Sequence, residues 1–210
     1  MILNLKIQII LIIFNGLAIN AIKNTTKDTT IMTTLNATKN HDLTLVCLIK
    51  NIKYKDEFLY STFDIDELKQ RKVYSNEINP NLMQHSDQLL WILKPVDWLK
   101  DVYYITNYYY NEHLCAHHTH LERFNYRRYV YLVKMNKESI WTNQKCMWQL
   151  RKLKNNKHNY TIWNVNYKEP LYAASFMLKT ARTDRRNLFL WYKKPDSTQF
   201  NWNLECISHY

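Results

Sequence analysis

The chain has 210 residues, 46% hydrophobic and 22% charged, the make-up of one ordinary globular domain. Its 29 Lys and Arg outweigh 18 Asp and Glu, a formal charge of +11, and it holds one glycine, Gly16. Only glycine lets a backbone approach a phosphate closely or take the turn of a nucleophile elbow, so the missing G-x-G-x-x-G, G-x-x-x-x-G-K-[ST] and G-x-S-x-G motifs exclude glycine-loop nucleotide and hydrolase chemistry.

At the N-terminus, Lys6 precedes an apolar run from Ile7 to Phe14 broken only by Gln8, and small residues follow at Ala18 and Ala21. That pattern predicts a secretory signal peptide over residues 1–21. A membrane span needs roughly 20 apolar residues, and Asn15 and Asn20 interrupt this run. Residues 22–42 follow as a flexible leader, because Thr25, Thr26, Thr29, Thr30, Thr33, Thr34 and Thr38 leave little apolar surface to offset chain entropy. The expected compartment is extracellular. There Cys47, Cys115, Cys146 and Cys206 read as two disulfides with three possible connectivities, and Asn24, Asn36 and Asn159 stand in glycosylation sequons.

The rest of the chain aligns with itself three times. Ile49-Lys50-Asn51, Ile105-Thr106-Asn107 and Ile162-Trp163-Asn164 are each followed by a Tyr (Tyr54, Tyr110, Tyr167), a Glu (Glu57, Glu112, Glu169) and an apolar run. A basic strand comes next, beginning at Arg71, Arg127 or Arg185, and each unit closes on Trp91, Trp148 or Trp202. The runs are short, rich in Tyr, Val, Ile and Trp, and Tyr160 to Asn164 alternates with period two, so they are predicted strands. Four-stranded units are too long for a solenoid and three blades too few for a propeller, which leaves a closed threefold β structure.

This pattern resembles the β-trefoil superfamily, and within it the ricin-B-type lectin modules and related secreted insect proteins. The resemblance implies an all-β β-trefoil over residues 43–210, in units of about 43–101, 102–158 and 159–210. The lectin phrase Q-x-W is not kept, since Gln88 and Gln199 stand three places before Trp91 and Trp202. The three tryptophans are expected in the core. In a closed barrel the first and last strands meet, so Cys47 is expected to pair with Cys206, and Cys115 with Cys146.

His113, His117, His118 and His120 are the densest set of potential metal ligands. The last three fall where a connecting loop is expected, so no metal and no cofactor is assigned. No Ser, His and acid set is marked, and no paired carboxylates, so no catalytic residue is assigned. Charge is the strongest functional signal. Arg123, Arg127 and Arg128, then Arg151, Lys152, Lys154 and Lys157, then Arg182, Arg185, Arg186, Lys193 and Lys194 form three basic segments. Outside the cell they would suit a polyanion other than nucleic acid. Trp163 takes the place of Lys50 and Thr106 in the other units and is expected to point outward as a stacking platform. Trp163, Arg127, Arg128, Arg185 and Arg186 are the candidate ligand-binding residues. The expected protein is a secreted, monomeric, non-enzymatic lectin-like module for an extracellular glycan or other ligand. The alternative is a heparin-binding-type signalling ligand or Kunitz-like protease inhibitor with a protein receptor or protease as partner. Asparagine is expected to replace glycine at the left-handed corners, at Asn107–Asn111, Asn155-Asn156 and Asn164–Asn166.

Overall fold

The computed structural model describes residues 43–54, 57–77, 86–120, 127–136, 139, 143–154, 157–179, 184–191 and 198–208. The expected signal peptide and leader, Asn24, Asn36, Arg123, Asn155-Asn156, Arg182, Lys193 and Lys194 lie outside them. The fold is all-β. Its strands are β1 (Leu45–Asn51), β2 (Glu57–Ile65), β3 (Arg71–Glu77), β4 (Leu90–Pro95), β5 (Val102–Asn107), β6 (Glu112–His120), β7 (Arg127–Val133), β8 (Met147–Lys152), β9 (Asn159–Asn164), β10 (Leu171–Lys179), β11 (Asp184–Trp191) and β12 (Asn201–Ser208).

Six strands pair antiparallel in a closed ring, β1 with β4, β4 with β5, β5 with β8, β8 with β9, β9 with β12 and β12 with β1. The other six form the hairpins β2–β3, β6–β7 and β10–β11, whose second strands also pair with one another and cap one end of the ring. Closure leaves the barrel without an unpaired edge. Cys47 and Cys206 are register partners on β1 and β12 and are bridged there, and a second disulfide joins Cys115 to Cys146.

Trp91, Trp148 and Trp202 are fully buried on ring strands. Each indole Nε1 donates to a hairpin carbonyl, of Leu59 at 3.0 Å, Leu114 at 2.8 Å and Leu171 at 3.1 Å. Each tryptophan thus fills the barrel and satisfies a carbonyl that would otherwise be buried unpaired. Asn51, Asn107 and Asn164 are also buried. Their Nδ2 groups donate to the carbonyls of Gln199, Gln88 and Lys145, while Oδ1 accepts the amide N–H of Tyr54, Tyr110 and Tyr167 three residues on.

Left-handed backbone falls, among the described residues, on Lys69, Asp101, Asn111 and Lys168, with φ of 58°, 57°, 53° and 54°. Asparagine therefore turns the chain in the expected way only at Asn111. At Asn164–Asn166 it is Lys168 that takes positive φ, because Asn164 acts through its side chain, which fixes the turn from within. The histidines also differ from expectation. His117 to His120 belong to β6, where pairing with β7 resumes at His120 and Arg128 after a bulge.

Candidate functional site

Three arginines link the hairpins in a circle. Arg71 Nε meets Glu112 Oε2 at 2.7 Å, Arg128 Nε meets Glu169 Oε2 at 3.0 Å, and Arg186 Nη2 meets Glu57 Oε1 at 2.8 Å. Each guanidinium lies over a tyrosine, 3.5 Å above Tyr110, 3.8 Å above Tyr167 and 3.5 Å above Tyr54. Each Nη1 also donates to carbonyls of the strand before it, those of Thr62 and Phe63, of His118, and of Ala174 and Ser175. Burial pushes the Tyr110 phenol up to about 12 even though the Arg71 charge pulls it down. Burial likewise raises the Glu169 carboxyl above its ordinary value against the opposing pull of Arg128. Arg128 and Arg186 therefore face inward, where each answers a shielded glutamate, rather than opening onto a ligand surface. The equivalent arginines are Arg71, Arg128 and Arg186, one residue later in the second and third units than the sequence comparison placed them.

Arg127 and Arg185, each one residue earlier, point by strand alternation to the outer face of the cap. Arg127 stacks over Trp191 at 4.8 Å and Phe189 at 5.5 Å, and Arg185 over Tyr74 at 4.3 Å while pairing with Asp64 at 3.0 Å. Where β3, β7 and β11 converge, that face has a depression of about 420 Å³ walled by Tyr74, Tyr129 and Tyr131. Asp66, Gln70, Arg71, Lys72, His117 and Asn187 supply its polar groups. Asp66 Oδ1 accepts the amides of Leu68 and Gln70 at 2.9 and 2.8 Å and so fixes the hairpin turn. Burial and the neighbouring His118 hold the His117 imidazole below its usual pKa.

The opposite end of the barrel opens between the turns that precede Val102 and Asn159. A groove of about 630 Å³ there has Tyr103, Leu150, Tyr160 and Leu204 as its apolar lining, with Lys100, Arg151, Lys152, His158 and Asp101 also lining it. A second depression of about 260 Å³, which includes Trp163 and Lys168, shares Lys100, Gln149 and Arg151 with the first. Trp163 is half-buried on β9. Its Nε1 donates to Thr161 Oγ1 at 2.9 Å, and the Arg151 guanidinium sits 4.0 Å over its ring. Burial, then the Asp101 charge, raises both the Tyr103 and Tyr160 phenols.

The five candidate residues thus divide three ways. Trp163 belongs to the mouth with the middle basic segment, Arg127 and Arg185 to the outer cap, and Arg128 and Arg186 to the interior. Asn159 is half-buried beside the mouth, with Oδ1 accepting from Asn203 Nδ2 at 2.9 Å. Tyr103, Tyr160, Tyr74, Tyr129 and Tyr131 were not singled out from the sequence. For the first two a signal existed, since each stands four residues before Asn107 or Asn164, where the first unit has Cys47. Among the described residues no group of three or more His, Cys, Asp or Glu is placed to hold a metal.

No protein-family model and no curated protein matches the chain. Solved structures do. A BEL β-trefoil is 15% identical with a TM-score of 0.51, covering 78% of this chain and 93% of its own. A Culex salivary protein of the Cysteine and Tryptophan-Rich family is 17% identical with a TM-score of 0.50, over 77% of this chain and 92% of its own. The designed threefold-symmetric protein ThreeFoil is 12% identical with a TM-score of 0.51, over 76% and 96%. The molecule is a protein of the β-trefoil fold.

Proposed function

We propose that the protein is a secreted, non-enzymatic β-trefoil binding module built of three four-stranded units, whose ligand is an extracellular carbohydrate seated in the outer cap. The observation that carries this is the cap depression, where three tyrosine rings stand beside a carboxylate, two amides, an imidazole and the Lys72 ammonium. Such rings offer flat apolar faces to the C–H side of a sugar, and the polar groups match its hydroxyls. The size lies within the range of small-molecule pockets, roughly 300–1,000 Å³. Two disulfides suit an oxidising compartment, and no helix among the described residues is long and apolar enough to cross a membrane. The sequons at Asn24, Asn36 and Asn159 would be used on the same route.

A glycan array read at low and high salt tests the proposal. Neutral-sugar binding that survives salt and falls with Tyr129→Ala supports it, and silence toward every neutral glycan overturns it. One observation favours the alternative of a protein partner, whether receptor or protease. Phe63, Ile65 and Leu68, on and just beyond β2, are 55%, 54% and 67% exposed, a protruding apolar tip of the kind that docks into another protein.

A further inference from the structure

We infer that the open mouth of the barrel is a second binding site, for a linear sulfated glycan chain. Its charges carry the argument. Lys100, Arg151, Lys152, Lys154, Lys157 and Lys168 are exposed, and none is paired with a carboxylate among the described residues. The four arginines in described ion pairs all lie elsewhere, in the hairpins. Among the described residues Asp101 is the one carboxylate lining the groove, which gives it a positive field. Lys100, Arg151, Lys152 and Lys168 line two contiguous depressions that share Lys100 and Arg151, and Lys154 and Lys157 stand in the turn after β8 beside them, which fits a chain of spaced anions better than a single ion.

The aromatic groups narrow the chemistry. Tyr103 and Tyr160 line the first depression and Trp163 the second, and Arg151 already covers the Trp163 ring. Held flat on the indole, and with Nε donating to Gln149 Oε1 at 2.8 Å, the Arg151 guanidinium has little rotamer freedom left to lose and would meet a planar or tetrahedral oxyanion through its Nη groups. A sulfated sugar chain presents both required features, an anion to the cations and an apolar ring face to the tyrosines. Nucleic acid would satisfy the same charges, but a disulfide-bonded protein of an oxidising compartment meets sulfated glycans instead. A lipid surface would need a protruding face, whereas Lys100, Arg151, Lys152 and Lys168 line a concave one.

Titration calorimetry with a heparin oligosaccharide, and with its fully desulfated counterpart of equal length, tests the inference on the full chain. Binding is expected for the sulfated chain alone, weakening about a hundredfold between 50 and 200 mM salt. Arg151→Gln should weaken it about tenfold, and Lys152→Ser with Lys154→Ser by a similar factor. Lys72→Ser and Tyr129→Ala at the cap should leave it unchanged, so that this site and the cap site fail or survive independently. Equal binding of the desulfated chain overturns the inference. So does loss on the cap substitutions, or tighter binding of a single-stranded oligonucleotide, or binding only to phosphatidylserine vesicles. Native circular dichroism of each variant keeps misfolding from being read as lost affinity.

Discussion

Glu57→Gln is expected to destabilise the fold more than the same change at Glu112, although both glutamates hold an arginine of the neighbouring hairpin. Glu57 and Arg186 are each 6% exposed along the side chain, and Glu57 takes bonds from Nε and Nη2 and from Ser75 Oγ. Glutamine keeps the shape but turns an amide donor toward a guanidinium that cannot lose its proton, and the charge is left buried without an answer. Breaking such a pair costs about 3–5 kcal/mol; with one acceptor oxygen retained, about 3 kcal/mol is expected. Glu112 is 16% exposed, so water reaches the orphaned Arg71 and the cost should be about 1–2 kcal/mol. In urea, with an m-value of about 2 kcal/mol/M, the midpoints should fall by about 1.5 M and 0.5–1 M. Both are read by tryptophan fluorescence under oxidising conditions. Equal shifts, or a larger one at Glu112, would refute the claim that burial sets the cost. Replacing the pair by Glu57→Leu with Arg186→Met should recover only part of the loss, because the carbonyls of Ala174 and Ser175 still lack their donor.

Lys168→Asn should raise stability by about 0.5–1 kcal/mol, since asparagine enters the left-handed region more readily than lysine; an unchanged or lower urea midpoint counts against it. Replacing Cys47 and Cys206 by Ser opens a 159-residue loop and should cost up to about 5 kcal/mol, against up to about 3.5 kcal/mol for the 31-residue loop of Cys115 and Cys146. Calorimetry of the two double variants gives the order, and the reverse order would show that native geometry outweighs chain entropy. Burial holds His113 below its usual imidazole value, with Nδ1 2.8 Å from Thr106 Oγ1. The folded state thus prefers the neutral ring, whose contribution is fully present above the unfolded value of about 6.5 and is lost as pH falls through the lower folded value. His113→Asn should therefore flatten the fall in urea midpoint between pH 7 and pH 5, and an unchanged slope would contradict this.

The tryptophans show what the sequence carried well. One large aromatic recurring at the same step of each unit has few places to go in a closed barrel, and the Cys47–Cys206 bridge follows from the same closure. The arginines show what it hid. Two adjacent basic residues, Arg127-Arg128 and Arg185-Arg186, face opposite sides of a strand, and a shift of one residue exchanges inside for outside. Their glutamate partners stand 41 or 129 positions away in sequence, so no local pattern joins them. The left-handed lysines were hidden for another reason, because a side chain elsewhere in each turn, Asp66 beside Lys69 and the buried Asn164 before Lys168, dictates the turn and the residue at the strained position merely tolerates it. Each depression draws its lining from several hairpins or turns, which only the assembled fold brings together.

The circle of ion pairs has a consequence for stoichiometry. Every unit supplies a glutamate to the arginine before it and an arginine to the glutamate after it, and Arg186 returns to Glu57 to complete the loop. One unit alone, or two in tandem, would bury a charge at each end with no counterpart, whereas three separate copies of a single unit would satisfy the circle as fully as one continuous chain. A permuted chain that begins at Val102, with its former ends joined beside the Cys47–Cys206 bridge, would likewise keep all three pairs. The charges count units and are indifferent to where the polypeptide starts.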